Sequence, residues 1–495
     1  MWHGFFLVIF LLCEFLVQMP QFRHIGRSIH GTQVDFSDRR TYILMILVIV
    51  MLLMLCLEPM GWAPLWNGEV PGHRNQYEKM ADAILKGQLH LDIPVEPGIL
   101  ELENPYDPAQ REGLYYQWDH AYYDGHYYMY FGVVPALLVF APYQLLTGHS
   151  LTTFHGTQLF AGLYIIGLFL MLSYLTRKFF PKMPMAVFFL LSSAIAVMSI
   201  WYCVSYPAMY CTAIMSAICL MVWSLYFFIR AVFDPETTWK TFLYAGLGSL
   251  CGALVFGCRP TIGLGNILVL PLVITFFKTR KFSPKLLLGT VLSALPYVAV
   301  AAGLMWYNYA RFDNPFEFGQ SYQLTVADQS QYGNIFSNIQ WKSLLENIED
   351  ALFRYDSGPL DYGVFVTFPI LLLPIYALAR KESREFLRAH GLGLLIPVGV
   401  VAMLVIVAMG ILWTPYLLTR YTMDYIWLLA LLLFVAVGAL YQREKVNPRL
   451  TLVIGLLSIF TVIVCICLFL TPYDANYANH RNYDLKWVNG LLKWK

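Results

Sequence analysis

The sequence predicts an all-α polytopic membrane protein. Hydrophobic residues make up 58% of the 495 residues and charged residues only 13%, whereas a soluble domain carries about 25% charged residues. The mean hydropathy is +0.56, and long apolar runs recur from one end of the chain to the other. As helices, runs of about 17 residues or more can cross a hydrocarbon core of about 30 Å. The net charge of +2 gives no indication of nucleic-acid binding.

We expect about twelve membrane-spanning helices in a single integral membrane domain, residues 1–495. The predicted spans are 2–19, 41–57, 153–175, 184–200, 207–229, 241–258, 261–277, 286–306, 363–379, 391–412, 425–441 and 450–470. The first run contains Glu14 and lacks both the basic start and the small-residue exit of a signal peptide. We therefore interpret it as a span that is kept.

The distribution of Lys and Arg predicts how these spans are oriented. Six loops hold twenty of the 33 Lys and Arg residues, at 23–40, 177–182, 230–240, 278–285, 380–388 and 443–449. Such clusters collect on the cytoplasmic side of membrane proteins. The loops that alternate with them, 58–152 and 307–362, are then external.

This orientation requires that the apolar run 131–148 does not cross the membrane. A crossing at this point would place the next cluster outside and invert every later one. The run has 18 residues and contains Pro135 and Pro142. It therefore predicts an interfacial helix that lies in the outer surface of the bilayer.

The first external loop is long, acidic and rich in tyrosine. Residues 58–131 contain twelve Asp and Glu residues against four Lys and Arg. Loops of such length in compact structures are usually functional. Carboxylates beside aromatic rings at a bilayer surface suit a sugar or a polar head group better than a pore.

The composition of the chain predicts no metal site and no cofactor. No polar loop holds a pair of cysteines, so the nine cysteines indicate neither disulfides nor zinc. The external histidines form no pair with metal-ligand spacing on a helix, and no Gly-rich phosphate loop is present. A divalent ion held by Asp119 and Asp124 is the alternative.

Four segments on the predicted outer side carry local patterns of a known enzyme superfamily. They are 76–92 (QYEKMADAILKGQLHLD), 124–138 (DGHYYMYFGVVPALL), 307–319 (YNYARFDNPFEFG) and 420–425 (RYTMDY). In this order they resemble the GT-C superfamily of integral membrane glycosyltransferases, in particular bacterial members related to the protein O-mannosyltransferase group.

The resemblance implies a GT-C-like fold with a large first external loop. It also implies an inverting hexosyl transfer at the outer face of a bacterial cell membrane. The donor would be a sugar linked to polyprenyl phosphate, and the acceptor a saccharide, a lipid or a protein. In this superfamily an Asp lies a few residues before the loop helix. Here that stretch reads PGHRNQY (71–77), with His73 and Arg74 at the expected position. Either another residue serves as the base, or this member is inactive or has a different function.

Transfer from a lipid-phosphate sugar needs a base for the acceptor hydroxyl. Asp119 is the first candidate because aromatic residues surround it in the sequence. Asp124 and Glu69 follow, and His73 stands near the family's acidic position. The alternative for Asp119 and Asp124 is a purely structural role in Asx turns, above all in the pair Asp124-Gly125.

The phosphate leaving group needs cations. Arg259 interrupts a long apolar stretch, Arg311 lies in the YNYAR string, and Arg420 lies in a short loop. Arginine binds phosphate through its planar fork. Alternatively, Arg259 extends from a turn to the interface, or these arginines pair with Glu317 or Asp424 for structure.

Aromatic residues of the loop are candidates for contact with the sugar or the acceptor. They are Tyr77, Tyr116, Trp118 and Tyr122. A different function remains open, namely a transporter or flippase of a lipid-linked saccharide. Such a protein should have broken or charged helices near mid-membrane, often in two matching halves. The sequence shows no matching halves, and its polar residues concentrate on the outer side.

Overall fold

The protein is a bundle of long helices with an irregular assembly of loops at one end. A computed structural model describes residues 2–31, 33–59, 63–70, 74–332, 341–353, 363–413, 419–443 and 448–470.

Ten helices in these ranges are long and apolar enough to cross a membrane, and each coincides with a predicted span. They are Arg39–Leu57, Thr153–Phe179, Met185–Ser205, Met209–Phe233, Trp239–Phe256, Pro260–Thr279, Pro284–Phe312, Leu395–Leu412, Thr419–Leu440 and Pro448–Phe469. Shorter helices include Arg23–His30, Gln76–Leu85, Trp341–Phe353 and Lys381–Ala389. The predicted class, a polytopic α-helical membrane protein, is confirmed.

Two predicted spans are shorter in the structure. The run 2–19 contains the helix Trp2–Leu16, which has 15 residues. A helix of that length rises about 22 Å, which is less than the thickness of a hydrocarbon core. The run 363–379 changes to a 3-10 helix at Pro369 and ends in the helix Leu373–Ala379.

The helices differ in how far their neighbours enclose them. Met185–Ser205 and Thr419–Leu440 are enclosed on every side, whereas only 11% of the apolar window of Pro284–Phe312 is buried. An all-round apolar helix lies either in a core or against lipid, and hydropathy alone does not distinguish the two. Pro284–Phe312 lies at the periphery of the bundle, and side chains such as Val298 are exposed.

All six Lys/Arg clusters lie at one end of the bundle, called here the cationic end. The contacts that join them are Arg177 over the Phe36 ring, Tyr174 to Asp234, Arg280 to Asp234, Phe179 against His390, Lys182 to Gln442, and Arg443 to Glu382. The positive-inside rule predicts that this end is cytoplasmic.

The opposite end is called here the loop end. It brings together the described parts of 58–152, 205–209, 256–260, 313–332 and 419–424. The segment 58–152, which includes the run 131–148, leaves the bundle and re-enters it at this same end. It contains the helix Ala136–Thr147, which rises only about 18 Å.

Candidate functional site

The loop end is organised by a small β-hairpin. β1 (Ala121–Tyr123) and β2 (His126–Tyr128) are antiparallel, and the turn Asp124-Gly125 connects them. Both turn residues have positive φ, 46° and 74°, as a two-residue hairpin turn of the Asp-Gly type requires. Asp124 is therefore an exposed turn residue, in agreement with the structural alternative for it.

The second loop adds a backbone connection to this hairpin. The N–H of Asp119 donates to the carbonyl of Leu324 at 3.0 Å, and the N–H of Leu324 donates to the carbonyl of His120 at 2.9 Å. Ala121 forms a further bridge with Gln323. The two loops, more than 150 residues apart in the chain, thus form one structure around residues 119–121.

Asp119 lies at the centre of this structure. Its side chain is buried, with 7% of the residue exposed, and its φ of 55° is one that a short polar side chain tolerates. One carboxylate oxygen, Oδ1, accepts from Nε2 of Gln323 at 2.7 Å. The other, Oδ2, accepts from the hydroxyl of Tyr210. The carboxylate is therefore oriented from two separate segments.

Tyr210 links this carboxylate to a cation. The guanidinium of Arg420 lies 4.2 Å from the centre of the Tyr210 ring and 5.3 Å from that of Tyr421. Within the described residues, Arg420 has no hydrogen bond and no ion pair. A half-buried guanidinium without an acceptor is a ready anion-binding group.

Tyr130 completes the surroundings of Asp119 and Arg420. Burial raises the pKa of the Tyr130 hydroxyl far above its ordinary value, and the nearby Asp119 carboxylate raises it further. The hydroxyl therefore stays protonated and available as a donor beside the two charged groups.

Arg259 has a different environment from Arg420. Its Nε and Nη2 donate to the two oxygens of Asp424 at 2.6 and 2.7 Å, and Thr261 donates to the same carboxylate at 3.2 Å. This bidentate pair compensates the charge of Arg259. Gly132 brings the chain close to this point: a Cβ there would lie 2.1 Å from the carbonyl oxygen of Gly257, so only glycine allows this approach.

Arg311 is held by its own surroundings. Its Nη1 donates to the carbonyl of Met129 at 2.7 Å and its Nη2 donates to Asn308 at 2.9 Å. The guanidinium lies 3.8 Å from the centre of the Tyr307 ring, and the residue is 4% exposed. In this arrangement Arg311 connects the helix Pro284–Phe312 to the first loop.

Of the two remaining acid–base candidates, Glu69 and His73, the structure describes only Glu69. Glu69 is exposed, and its backbone N–H donates to Asn67 at 3.0 Å. His73 lies outside the described residues. Its neighbour Arg74 pairs with Asp82 at 2.5 Å, and this partner raises the pKa of Arg74. Arg74 thus stabilises the start of the helix Gln76–Leu85. It does so at the position where the superfamily pattern has an Asp.

The candidate aromatic residues fall into two groups. Tyr77 is fully buried and stacks on Phe140 at 5.3 Å, and Tyr122 packs at 5.7 Å against Tyr127 in a small core. Tyr116 is partly exposed beneath the guanidinium of Arg111 at 4.3 Å, and Trp118 is 46% exposed. Of the four, Tyr116 and Trp118 present ring surface to a ligand.

Gln76 and His120 add buried polar groups next to Asp119. Gln76 donates to the carbonyl of Asp119, and the Nδ1–H of His120 donates to the carbonyl of Trp118 at 2.8 Å. Oε1 of Gln76 and Nε2 of His120 are buried without a partner among the described residues. Burial lowers the pKa of His120 to about 4, so its ring is neutral at pH 7.

Tyr210, Gln323 and Tyr421 are among the residues of this site that sequence reasoning missed. Tyr210 and Tyr421 each lie in the first turns of a predicted or observed span, where a tyrosine normally serves as an interfacial anchor. Gln323 lies in the second external loop without a motif. In the described residues no group of three or more His, Cys, Asp and Glu side chains is arranged to hold a metal ion.

Comparison with known proteins gives a distant structural likeness. No protein family and no curated protein sequence matches the chain. Among solved structures, the chain is similar to the oligosaccharyltransferase of Archaeoglobus fulgidus in its apo form, at 12% identity and a TM-score of 0.46. The match covers 93% of this chain and 61% of that chain, so this chain spans less than two thirds of the length of that protein.

Proposed function

We propose that the protein is a membrane glycosyltransferase that transfers a sugar from a polyprenyl-phosphate-linked donor to an acceptor at the loop end. The observation that carries this proposal is the arrangement of Asp119, Tyr210 and Arg420. A buried carboxylate and a guanidinium that has no ion-pair partner among the described residues contact the same tyrosine, one at its hydroxyl and the other at its ring.

Asp119 has the properties of a general base for the acceptor hydroxyl. A carboxylate offers about four acceptor positions, and the contacts with Gln323 and Tyr210 occupy two of them. The remaining positions can receive a proton, while the two hydrogen bonds keep the carboxylate in one orientation. Preorganisation of this kind is what general-base catalysis needs.

Arg420 has the properties of a binding group for the donor phosphate. Its fork carries five N–H donors, and none has an acceptor among the described residues. The rings of Tyr210 and Tyr421 hold the guanidinium in place by cation–π contact without neutralising it. The phosphate oxygens of a donor would supply both the acceptors and the opposite charge.

The proposed step is a single displacement with inversion. The acceptor oxygen gives its proton to Asp119 and attacks the anomeric carbon of the donor sugar. The bond between that carbon and the phosphate oxygen breaks, and the lipid phosphate leaves with the electron pair. Arg420 then stabilises the additional negative charge on the phosphate. Trp118 and Tyr116 are placed to stack on sugar rings.

A transporter of a lipid-linked saccharide is the competing function. Such proteins place charged groups and helix breaks near the midplane. In the described spans the charged side chains instead lie near one end or the other, as Arg230, Lys278 and Arg420 do. This distribution favours chemistry at the loop end over transport through the bundle.

Sugar transfer by purified protein tests the proposal. The protein in detergent should be given a panel of radiolabelled polyprenyl-phosphate sugars together with candidate lipid, saccharide and peptide acceptors. We expect release of polyprenyl phosphate and a labelled product with inverted anomeric configuration. A transporter would instead move the lipid-linked saccharide across proteoliposomes without breaking the sugar–phosphate bond. Movement without bond cleavage would contradict the proposal.

A further inference from the structure

A cavity of about 940 Å³ lies at the cationic end, far from Asp119. It opens between the ends of five helices, Thr153–Phe179, Met209–Phe233, Trp239–Phe256, Pro260–Thr279 and Pro284–Phe312. Its volume is in the range of small-molecule sites, about 300–1,000 Å³. None of the residues assigned to the candidate active site lines it.

The lining of this cavity is strongly cationic. Lys178, Arg280, Lys281 and Lys285 face it, with Asp234 as the single carboxylate among its lining residues. That carboxylate is already engaged: it accepts from Tyr174 at 2.7 Å and pairs with Arg230 at 3.1 Å. The cavity therefore has an excess of positive charge that its own walls do not compensate.

The cations differ in how firmly they are held. Arg280 is fixed, because it donates to the Asp234 carbonyl at 2.7 Å and to the hydroxyl of Thr237. Lys178, Lys281 and Lys285 are exposed and have no hydrogen-bond or ion-pair partner in the described ranges. One arginine is thus preorganised, and three lysines are free to approach an anion.

The N-termini of two helices add to the positive charge of the cavity. Trp239–Phe256 and Pro284–Phe312 both begin at the cavity, at the caps Thr238 and Ser283. The N-terminal end of a long helix carries a partial positive charge and favours anions. Both helix N-termini act here together with the four cationic side chains.

Apolar side chains flank the cavity on its outer surface. Trp239 is 68% exposed, Phe282 is 71% exposed and Leu288 is 59% exposed. Trp239 and Leu288 lie on helices long and apolar enough to cross a membrane, and Phe282 lies in the loop before the second of them. A soluble anion makes no use of this surface, whereas the acyl chains of a bilayer lipid would cover it.

We propose that this cavity binds the phosphate-bearing headgroup of an anionic lipid from the leaflet at the cationic end. Basic pockets between membrane helices bind such headgroups by the same combination of charges and apolar flanks. The site is separate from the proposed glycosyl transfer and does not depend on it. Its residues would tie the peripheral helix Pro284–Phe312 to the lipid around it.

Native mass spectrometry of the full chain in detergent tests this site. Phosphatidylglycerol is the probe, phosphatidylcholine is the neutral-lipid comparison, and glycerol 3-phosphate is the soluble comparison. We expect retention of phosphatidylglycerol and about tenfold weaker binding in the double variant Lys281→Gln with Lys285→Gln. Lys281→Arg with Lys285→Arg should keep the affinity.

A double variant at the same end provides the matched control. Lys381→Gln with Arg388→Gln removes two exposed cations from a helix that does not line the cavity, and should leave lipid binding unchanged. Equal affinity of the unaltered protein and the double variant Lys281→Gln with Lys285→Gln would overturn the proposal. Glycerol 3-phosphate binding as tightly as the lipid would also overturn it, since the site would then serve a soluble phosphate ester.

A second measurement compares the unaltered protein with Trp239→Phe. It therefore does not depend on the folding of the lysine variants. Phosphatidylglycerol with brominated acyl chains should quench the fluorescence of Trp239, which flanks the cavity. The quenching is obtained as the difference between the protein and Trp239→Phe. An identical loss of fluorescence in both proteins would place the bound lipid elsewhere and contradict the site.

Discussion

The hydroxyl of Tyr210 donates a hydrogen bond to the carboxylate of Asp119 across 91 positions of the chain. Tyr210 lies in the first turn of the helix Met209–Phe233, and Asp119 lies in the first loop, so this contact connects the loop to the bundle. The guanidinium of Arg420 lies over the ring of the same tyrosine in a cation–π contact.

Asp119→Asn should abolish most of the turnover and keep donor binding. Asn tolerates the positive φ of Asp119 and nearly preserves its size, but it cannot take the acceptor proton. Removal of a general base costs about 10²–10⁴ in rate. The matched control is Asp124→Asn in the exposed turn, which should remain near full activity. Equal activities of the two variants would exclude Asp119 as the base.

Tyr210→Phe should separate the two contacts of this tyrosine. The change removes the hydrogen bond to Asp119 and keeps the ring beneath Arg420. Loss of a hydrogen bond to a charged group costs about 1.5–3 kcal/mol, so kcat should fall by at least about tenfold while the KM for the donor stays nearly constant. Tyr210→Leu should raise the donor KM as well. A change in KM alone for Tyr210→Phe would contradict this division of roles.

Arg420→Ala should weaken donor binding by about ten- to hundredfold and leave the fold intact. The reason is that Arg420 has no acceptor among the described residues, so its removal leaves no buried carboxylate without a partner. The loss corresponds to one charge-assisted hydrogen bond. Binding of a fluorescent lipid-phosphate donor and thermal unfolding measure the two quantities. Full donor affinity in Arg420→Ala would remove this residue from the phosphate site.

Arg259→Ala should show the opposite pattern, a loss of stability. The change leaves Asp424, whose side chain is 3% exposed, without its bidentate partner. Breaking a buried pair from one side costs about 3–5 kcal/mol. The double variant Arg259→Ala with Asp424→Asn should recover much of the stability. An unchanged melting temperature in Arg259→Ala would show that the ion pair contributes little.

Cysteines introduced at Gln88, Gln117 and Ser150 should react with an impermeant thiol reagent in intact cells. All three positions lie in the loop whose two ends return to the same end of the bundle. Lys381→Cys at the cationic end should react only after lysis, and the unsubstituted protein gives the background of its nine cysteines. Labelling of the Ser150 site only after lysis would mean that the run 131–148 crosses.

The stability of the protein should fall as the pH decreases from about 6.5 to about 4. Burial lowers the pKa of His120 in the folded protein to about 4 from 6.5, so within this window the unfolded chain binds a proton that the folded chain does not. His120 contributes at most about 3 kcal/mol to the free energy of unfolding. This contribution is present above pH 6.5 and is lost as the pH falls.

His120→Gln should flatten this part of the pH profile of the melting temperature. His149→Gln, a substitution of an exposed histidine, serves as the control and should follow the unaltered protein. Parallel profiles for His120→Gln and the unaltered protein would show that His120 is not the titrating group.

The sequence alone determined the membrane architecture. Ten described helices coincide with predicted spans because hydropathy and helix length depend on neighbouring residues only. The grouping of the six Lys/Arg clusters at one end follows from their alternation along the chain. The Asp124-Gly125 turn is likewise local, since its backbone conformation depends on these two residue types.

Only the tertiary structure decided which candidate residues share a site. Arg259, Arg311 and Arg420 are equivalent in the sequence. In the structure Arg259 pairs with Asp424, Arg311 donates to the Met129 carbonyl, and Arg420 has no acceptor among the described residues. The contact of Asp119 with Gln323 spans 204 positions. Such partners depend on how distant helices pack, and no local pattern encodes this. The spans therefore follow from the sequence, whereas the candidate site arises from their packing.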